Sequence, residues 1–139
     1  MEYKLTNRLN DFYRLDEGDG RYEVWVWEGF DKLYQEVTKG DPKGAKKVLG
    51  WIKRLAEAFP QGEDKVKRLK GGSCKKQNIW ELKPKPYRVA FVCLCDRYML
   101  VGYIWRKRND MRDSKEIEKA CKRMEELAER FLEEVETCS

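Results

Sequence analysis

Alternating and continuous apolar runs predict four strands. Residues 21–27 alternate two sets of side chains, which is typical of a strand: Tyr22, Val24 and Val26 against Glu23, Trp25 and Trp27. Residues 79–83, 87–95 and 98–106 predict three more strands, and the last two are almost wholly apolar. Because both faces of these two strands are apolar, we expect them to lie centrally in the sheet.

Helical spacing predicts two helices in the first half of the chain. Apolar residues within 30–37 recur on one face, and Gly40 is a plausible stop. Asp41-Pro42 then supplies an N-cap and a first-turn proline for a second helix, whose apolar face extends to Phe59.

The longest predicted helix closes the chain. Asp113 and Glu116 form a capping-box pattern, and a continuous apolar stripe extends from Ile117 to Val135. The order is strand, two helices, three strands and helix. It predicts an α+β fold with a small, mainly antiparallel sheet.

The first 20 residues are predicted to be an N-terminal extension. Leu5, Leu9, Phe12 and Tyr13 fall on one helical face, and Thr6 could cap that helix. Residues 21–139 are expected to form a single domain, since the chain has 139 residues.

The predicted hairpin gathers cations at one end of the sheet. A two-residue loop at Asp96-Arg97 pairs Cys95 with Tyr98, so Arg88 lies opposite Trp105 and Arg106 opposite Tyr87. The same end then receives the basic residues of three strands: Lys83, Lys85, Arg88, Arg106, Lys107 and Arg108. Converging cations form a phosphate site, whereas scattered ones only form a solvated surface.

Two local alternatives stay open near this site. A tight turn that pairs Lys83 with Pro86 would place Glu81 directly opposite Arg88, as an ordinary cross-strand ion pair. Trp105 could stack on a base, but at strand spacing it is more often a core residue.

Charge is concentrated in the middle of the chain. Residues 65–112 carry 14 bases and three acids, a balance of +11, whereas residues 1–64 and 113–139 carry −2 and −4. A concentrated positive field attracts polyanions, so the predicted partner is nucleic acid. Lys70, and Lys75 and Lys76 in a glycine-rich loop, add candidate contacts, although a mobile solvated loop is the simpler interpretation of the last two.

The missing residue types restrict the chemistry. The chain has no histidine, and acids are scarce in its basic part. This argues against histidine-based catalysis and against a carboxylate two-metal site, so no metal or cofactor is predicted. A lysine crowded by other cations has a lowered pKa and can act as a base.

The five cysteines are predicted to be buried thiols without disulfides. Cys93 and Cys95, two apart on one strand, would share a face. No membrane-length apolar run or signal-peptide core appears, so the expected location is cytoplasmic and no membrane partner is predicted.

Several motifs occur in a familiar order. They are Val66-Lys67-Arg68-Leu69-Lys70-Gly71, Ile79-Trp80-Glu81-Leu82-Lys83, Tyr87-Arg88-Val89-Ala90-Phe91, Ile104-Trp105-Arg106-Lys107-Arg108 and Glu116-Ile117-Glu118-Lys119-Ala120. Together they resemble the RelE/HigB toxin superfamily, and most of all its phage-derived HigB-like branch. The resemblance covers residues 21–135 and implies a RelE-like fold.

The resemblance implies the toxin of a toxin–antitoxin pair, an endoribonuclease that cleaves mRNA on the ribosome. The reaction would be metal-independent attack by the RNA 2′-hydroxyl on the adjacent phosphate. Lys83 would be a base or a phosphate ligand, Arg88 would bind the scissile phosphate, and Lys107 and Arg108 would stabilise charge. Arg106 and Arg112 would contact the RNA backbone. The expected protein partner is an antitoxin of the helix-turn-helix type.

Two differences from the family keep other functions open. The family's arginine at the end of the second motif is Lys83 here, and no tyrosine follows Tyr103. The alternatives are a non-catalytic module that binds RNA or an antitoxin, and a gyrase-targeting relative.

Overall fold

The computed structural model describes residues 8–108, 113–135 and 138. The strands are β1 (Arg8–Leu9), β2 (Phe12–Arg14), β3 (Glu23–Trp27), β4 (Val66–Arg68), β5 (Ile79–Leu82), β6 (Tyr87–Leu94) and β7 (Tyr98–Arg106). The helices are α1 (Phe30–Val37), α2 (Pro42–Arg54) and α3 (Ser114–Glu134).

All seven strands form one sheet in the order β1-β2-β3-β7-β6-β5-β4. Among these described strands, β3 and β7 pair in parallel and the other neighbours are antiparallel. The α+β class, the mainly antiparallel sheet, the long last helix and the central position of β6 and β7 are confirmed. The sheet is larger than predicted, because three short strands extend its two edges.

Helices cover both faces of the sheet, and each face has its own core. Alternate side chains of the strands, such as Val89 and Val101, pack with α1 and α2. The intervening ones, such as Val92 and Leu100, pack with α3. Within the described part of the chain, no helix is long and apolar enough to cross a membrane.

The predicted helix near the N-terminus is wrong where the structure describes it. Phe12 and Tyr13 belong to β2, which pairs with β3, and they point to opposite faces of the sheet. Arg14 forms a bidentate ion pair with the nearly buried Asp16. The Asp16 carboxylate also accepts the Val24 backbone N–H, which fixes this segment against β3. Pairing to an existing strand outweighs a weak helical periodicity. Residues 1–7 lie outside the described range.

The β6–β7 hairpin differs from the prediction at its loop and agrees with it at the far end. Leu94, not Cys95, pairs with Tyr98, so the loop has three residues. A one-residue bulge at Gly102 then restores the predicted register, and Arg88 faces Trp105. The two deviations cancel before the strands reach the basic end of the sheet.

The start of α2 is built around a glycine. Asp41 caps the helix by accepting the Gly44 N–H at 3.0 Å, and it also accepts the Tyr87 hydroxyl at 2.7 Å. A Cβ on Gly44 would lie 2.1 Å from the Asp41 carboxylate and 2.7 Å from the Tyr87 ring. Only glycine fits between these two groups.

We therefore expect Gly44→Ala to lower the free energy of unfolding by roughly 1–3 kcal/mol, because the added methyl forces apart the cap and the Tyr87 ring. Urea denaturation followed by circular dichroism measures it. Gly50→Ala in the same helix is the matched control, since its Cβ would meet nothing closer than 4.0 Å. It should stabilise the protein by about 0.5–1 kcal/mol, and an equal loss in both variants would contradict the steric argument.

The third helix begins where predicted, but the capping box does not form. Asp113 makes no side-chain cap. Its carboxylate instead accepts the Trp105 indole N–H at 3.2 Å, and Glu116 accepts the Tyr103 hydroxyl at 2.7 Å. Both acids thus tie the start of α3 to β7.

The prediction of unpaired cysteines is wrong for four of the five. Cys74 is bonded to Cys121 on α3, and Cys95 is bonded to Cys138. Cys93 stays free and packs on the α1–α2 side, whereas Cys95 lies in the hairpin loop and packs on the other side. The predicted shared face fails because β6 ends one residue before Cys95.

The two disulfides close loops of 47 and 43 residues. We expect each to stabilise the fold by roughly 4 kcal/mol, because the crosslink lowers the conformational entropy of the unfolded chain. Thermal unfolding of Cys74→Ser and Cys95→Ser, with and without a thiol reductant, tests this. Each variant should melt well below the wild type. Cys93→Ser is the control and should melt near it; an unchanged melting point after full reduction would refute the expectation.

Candidate nucleic-acid interface

A basic cleft of about 520 Å³ opens between the start of α3 and the ends of β4, β5 and β7. Among the described residues, five cations and two acids line it. Its lining residues are Lys67, Arg68, Leu69, Lys70, Glu81, Lys83, Trp105, Lys107, Asp113 and Ile117. Three of the predicted cations, Lys70, Lys83 and Lys107, therefore meet here.

The two central lysines are placed by the strands that precede them. Lys83 follows β5 directly, and its backbone N–H donates to the Lys65 carbonyl. Lys107 follows β7, and its N–H donates to the Pro86 carbonyl at 2.9 Å. Sheet hydrogen bonds thus hold both backbones at one end of the sheet, so the cleft is built on rigid elements.

Lys83 lies in an environment that favours its neutral form. Burial lowers the pKa of its ammonium group, and the cations Arg88, Lys67 and Lys107 lower it further, against a raising effect of Glu81. Its Nζ donates to the Glu63 carbonyl at 2.7 Å, which fixes its position. A lowered pKa increases the fraction of the Lys83 amine that is neutral and can act as a base.

Arg88 does not line the cleft but pairs with Glu81, which does. It is 7% exposed, and its Nε lies 2.8 Å from Oε1 of Glu81, which is itself 6% exposed. Glu81 pairs with Ala90, so it meets Arg88 diagonally and not directly across. The ion pair considered from the sequence is real, although the register proposed for it is wrong.

The basic run after β7 is divided between two faces. Arg106 projects to the α1–α2 side, with its guanidinium 5.8 Å from the centre of the Tyr87 ring. Arg108 lies outside the cleft and lines a neighbouring groove together with Arg106. Side chains alternate along a strand, so a run of three cannot all point into one site.

The other predicted contacts lie away from the cleft. Lys75 and Lys76 line a separate groove along the acidic side of α3, where Glu125 accepts the Lys76 N–H. Lys85 is exposed in the turn before β6, and its carbonyl accepts Nζ of Lys47. Arg112 lies outside the described residues.

Trp105 is a wall of the cleft and a core residue. It is 3% exposed, packs with the α3 core and donates its indole N–H to Asp113. Its ring faces are therefore covered in this structure, which agrees with the core interpretation and leaves no open surface for a base.

Lys67 and Arg68 are site residues that the sequence reasoning missed. They lie on β4, a three-residue edge strand whose exposed positions line the cleft. Lys67 pairs with Glu81, so it shares the face of the buried acid. The available signal was the pair of bases between the apolar residues Val66 and Leu69.

Tyr103 is a titratable residue near the cleft that does not line it. Burial raises its pKa, and its hydroxyl donates to Glu116, which raises the pKa further. The group therefore stays protonated and engaged, and it lines the neighbouring groove instead of the cleft.

The arrangement can bind phosphates and move a proton. Lysines and arginines around a partly buried cleft attract a polyanion and stabilise extra negative charge on a phosphate. A lysine with a lowered pKa sits among them. These are the two requirements of a phosphodiester transfer that uses an internal hydroxyl.

No protein-family model matches the chain. A protein of Aquifex aeolicus (strain VF5), described as an uncharacterized protein, is 58% identical over 130 residues, which are 92% of this chain and 96% of the relative. The chain belongs to the same family as that protein.

We expect Lys83 to react unusually fast with a trace of acetic anhydride at pH 8, because a lowered pKa increases its neutral fraction. Peptide mass spectrometry measures the rate. Lys107→Met should slow the reaction, since it removes a cation that lowers the Lys83 pKa. Lys47, whose Nζ also donates to a carbonyl, is the internal reference and should not change. An unaltered Lys83 rate in that variant would contradict the electrostatic coupling.

Proposed function

We propose that this protein is a RelE/HigB-like toxin that cleaves mRNA by attack of the 2′-hydroxyl on the adjacent phosphate. The observation that carries the proposal is Lys83, an amine with a lowered pKa held among other cations in a cleft of the sheet. A lysine in this position can hold a phosphate oxygen when it is charged and accept a proton when it is neutral.

The fold supports the same proposal. Without β1, β2 and β4, the remaining elements follow the order expected of a RelE-like domain: β3, α1, α2, β5, β6, β7 and α3. The four motifs of the resemblance that fall in described strands lie around or next to the cleft.

Each cation of the cleft has a role in the proposed reaction. Lys83 removes the proton from the 2′-hydroxyl, or holds a phosphate oxygen in its charged form. Lys107 stabilises the charge that develops on the phosphate and the leaving oxygen. Lys67, Arg68 and Lys70 hold the flanking RNA backbone. The reaction needs no metal, and mRNA on the ribosome is the proposed substrate.

A second candidate is a module of the same fold that binds RNA, or a helix-turn-helix antitoxin, without cleavage. The observation that favours it is Arg88, which would hold the scissile phosphate but is buried against Glu81. Binding without new RNA ends would distinguish this function from the first.

Induced expression of the wild type and of Lys83→Met, followed by primer extension on cellular mRNAs, tests the proposal. The wild type should stop growth and leave new mRNA ends. Lys83→Met should lose cleavage by at least about 100-fold, as expected for a general base. Lys83→Arg separates the two roles, since arginine can bind phosphate but stays protonated.

Lys85→Met is the matched control, because Lys85 is a lysine two residues away that lies outside the cleft. It should retain cleavage. Wild-type protein that leaves no new mRNA ends would refute the enzyme, and equal loss in the Lys83 and Lys85 variants would show that the cleft is the wrong site.

A further inference from the structure

The buried pair of Glu81 and Arg88 occupies an unusual place for a structural ion pair. Glu81 lines the floor of the basic cleft, and Arg88 lies behind it on the same face of the sheet. An anion in the cleft therefore faces the Glu81 carboxylate, whereas the Arg88 guanidinium does not line the cleft.

The contact between the two side chains is close but incompletely satisfied. Nε of Arg88 lies 2.8 Å from Oε1 of Glu81, yet its N–H makes no aligned hydrogen bond to any described residue. One terminal nitrogen, NH1, donates to the Tyr87 carbonyl at 3.0 Å, which anchors the guanidinium in place. A phosphate oxygen could supply the missing acceptor with better geometry.

We infer that Glu81 is a positioning residue that acts as an internal substitute for an RNA phosphate, and that RNA must displace it to reach Arg88. This rests on the proposed function, and it concerns how that site is regulated. Carboxylate and phosphate compete for the same guanidinium donors, and only the carboxylate is present in the free protein. Arg88 is therefore held in its binding position but masked.

The salt dependence of RNA binding distinguishes this role from a structural one. In the wild type, an RNA phosphate that binds Arg88 leaves the Glu81 carboxylate without its partner. The exposed carboxylate then takes up a cation, so this contact releases no net counterion. In Glu81→Gln the guanidinium is free, and the slope of log K against log salt should steepen by about 0.7, the value for one phosphate of a single strand. Affinity at low salt should rise about tenfold.

Glu81→Asp separates displacement from simple loss of charge. The shorter side chain keeps the negative charge in the cleft but retreats from Arg88, so we expect tighter binding than in the wild type. We also expect the Glu81→Asp variant to fold, because a carboxylate stays near the buried charge of Arg88. Asp113→Asn is the control, since it removes the other acid of the cleft without unmasking Arg88.

The experiment titrates each folded variant with a fluorescent single-stranded 2′-O-methyl oligoribonucleotide, which cannot undergo 2′-hydroxyl attack, at several salt concentrations. Support requires tighter binding in both Glu81 variants. It also requires a steeper slope in Glu81→Gln, a wild-type slope in Asp113→Asn and a return to that slope in Glu81→Gln/Arg88→Gln.

Weaker or equal binding in both Glu81 variants would overturn the inference and leave the proposed function standing. Wild-type protein that neither binds this probe nor cuts mRNA would refute the proposed function itself, and the inference with it.

Discussion

The antiparallel pairing of β6 with β7 sets the position of every other part of the molecule. It joins residues 87–94 to 98–106, carries β3 and β5 on its two outer edges and supplies inward side chains to both cores. The bulge at Gly102 adjusts this pairing. A Cβ there would lie 2.5 Å from Leu127 and 2.6 Å from Met124, so the same glycine lets α3 approach the sheet. One residue thus sets both the register of the cations and the depth of the helix.

Elements with their own strong periodicity could be predicted from the sequence, and elements that depend on a partner could not. The apolar stripe of α3 and the apolar runs of β6 and β7 specify those elements without any neighbour. In contrast, β2 and β4 have three residues each and exist because β3 and β5 offer them free edges. The disulfides were missed for the same reason, since Cys74 and Cys121 meet only after the loop and α3 have packed.

The sequence could predict at which end of the sheet the candidate site lies, but it could not predict which side chains line it. Counting residues along the strands is enough to place Lys83 and Lys107 together, because it fixes the backbone pairing. It could not show that Arg88 would be buried by Glu81, since a diagonal contact depends on side-chain packing. Nor could it show on which side of the sheet Arg108 lies, because that depends on the residue at which β7 ends.

The parallel pairing of β3 with β7 has a consequence for the order in which the protein can be made. Residues 23–26 lie near the beginning of the chain, and their partners 98–101 emerge from the ribosome only after most of it has been synthesised. Closing the chain between β3 and β7 costs conformational entropy, so β3 completes its pairing only after β7 has been synthesised. The cleft needs Lys107, which follows that same last strand. A nascent chain that stops before Lys107 therefore contains most of the basic residues but no assembled cleft.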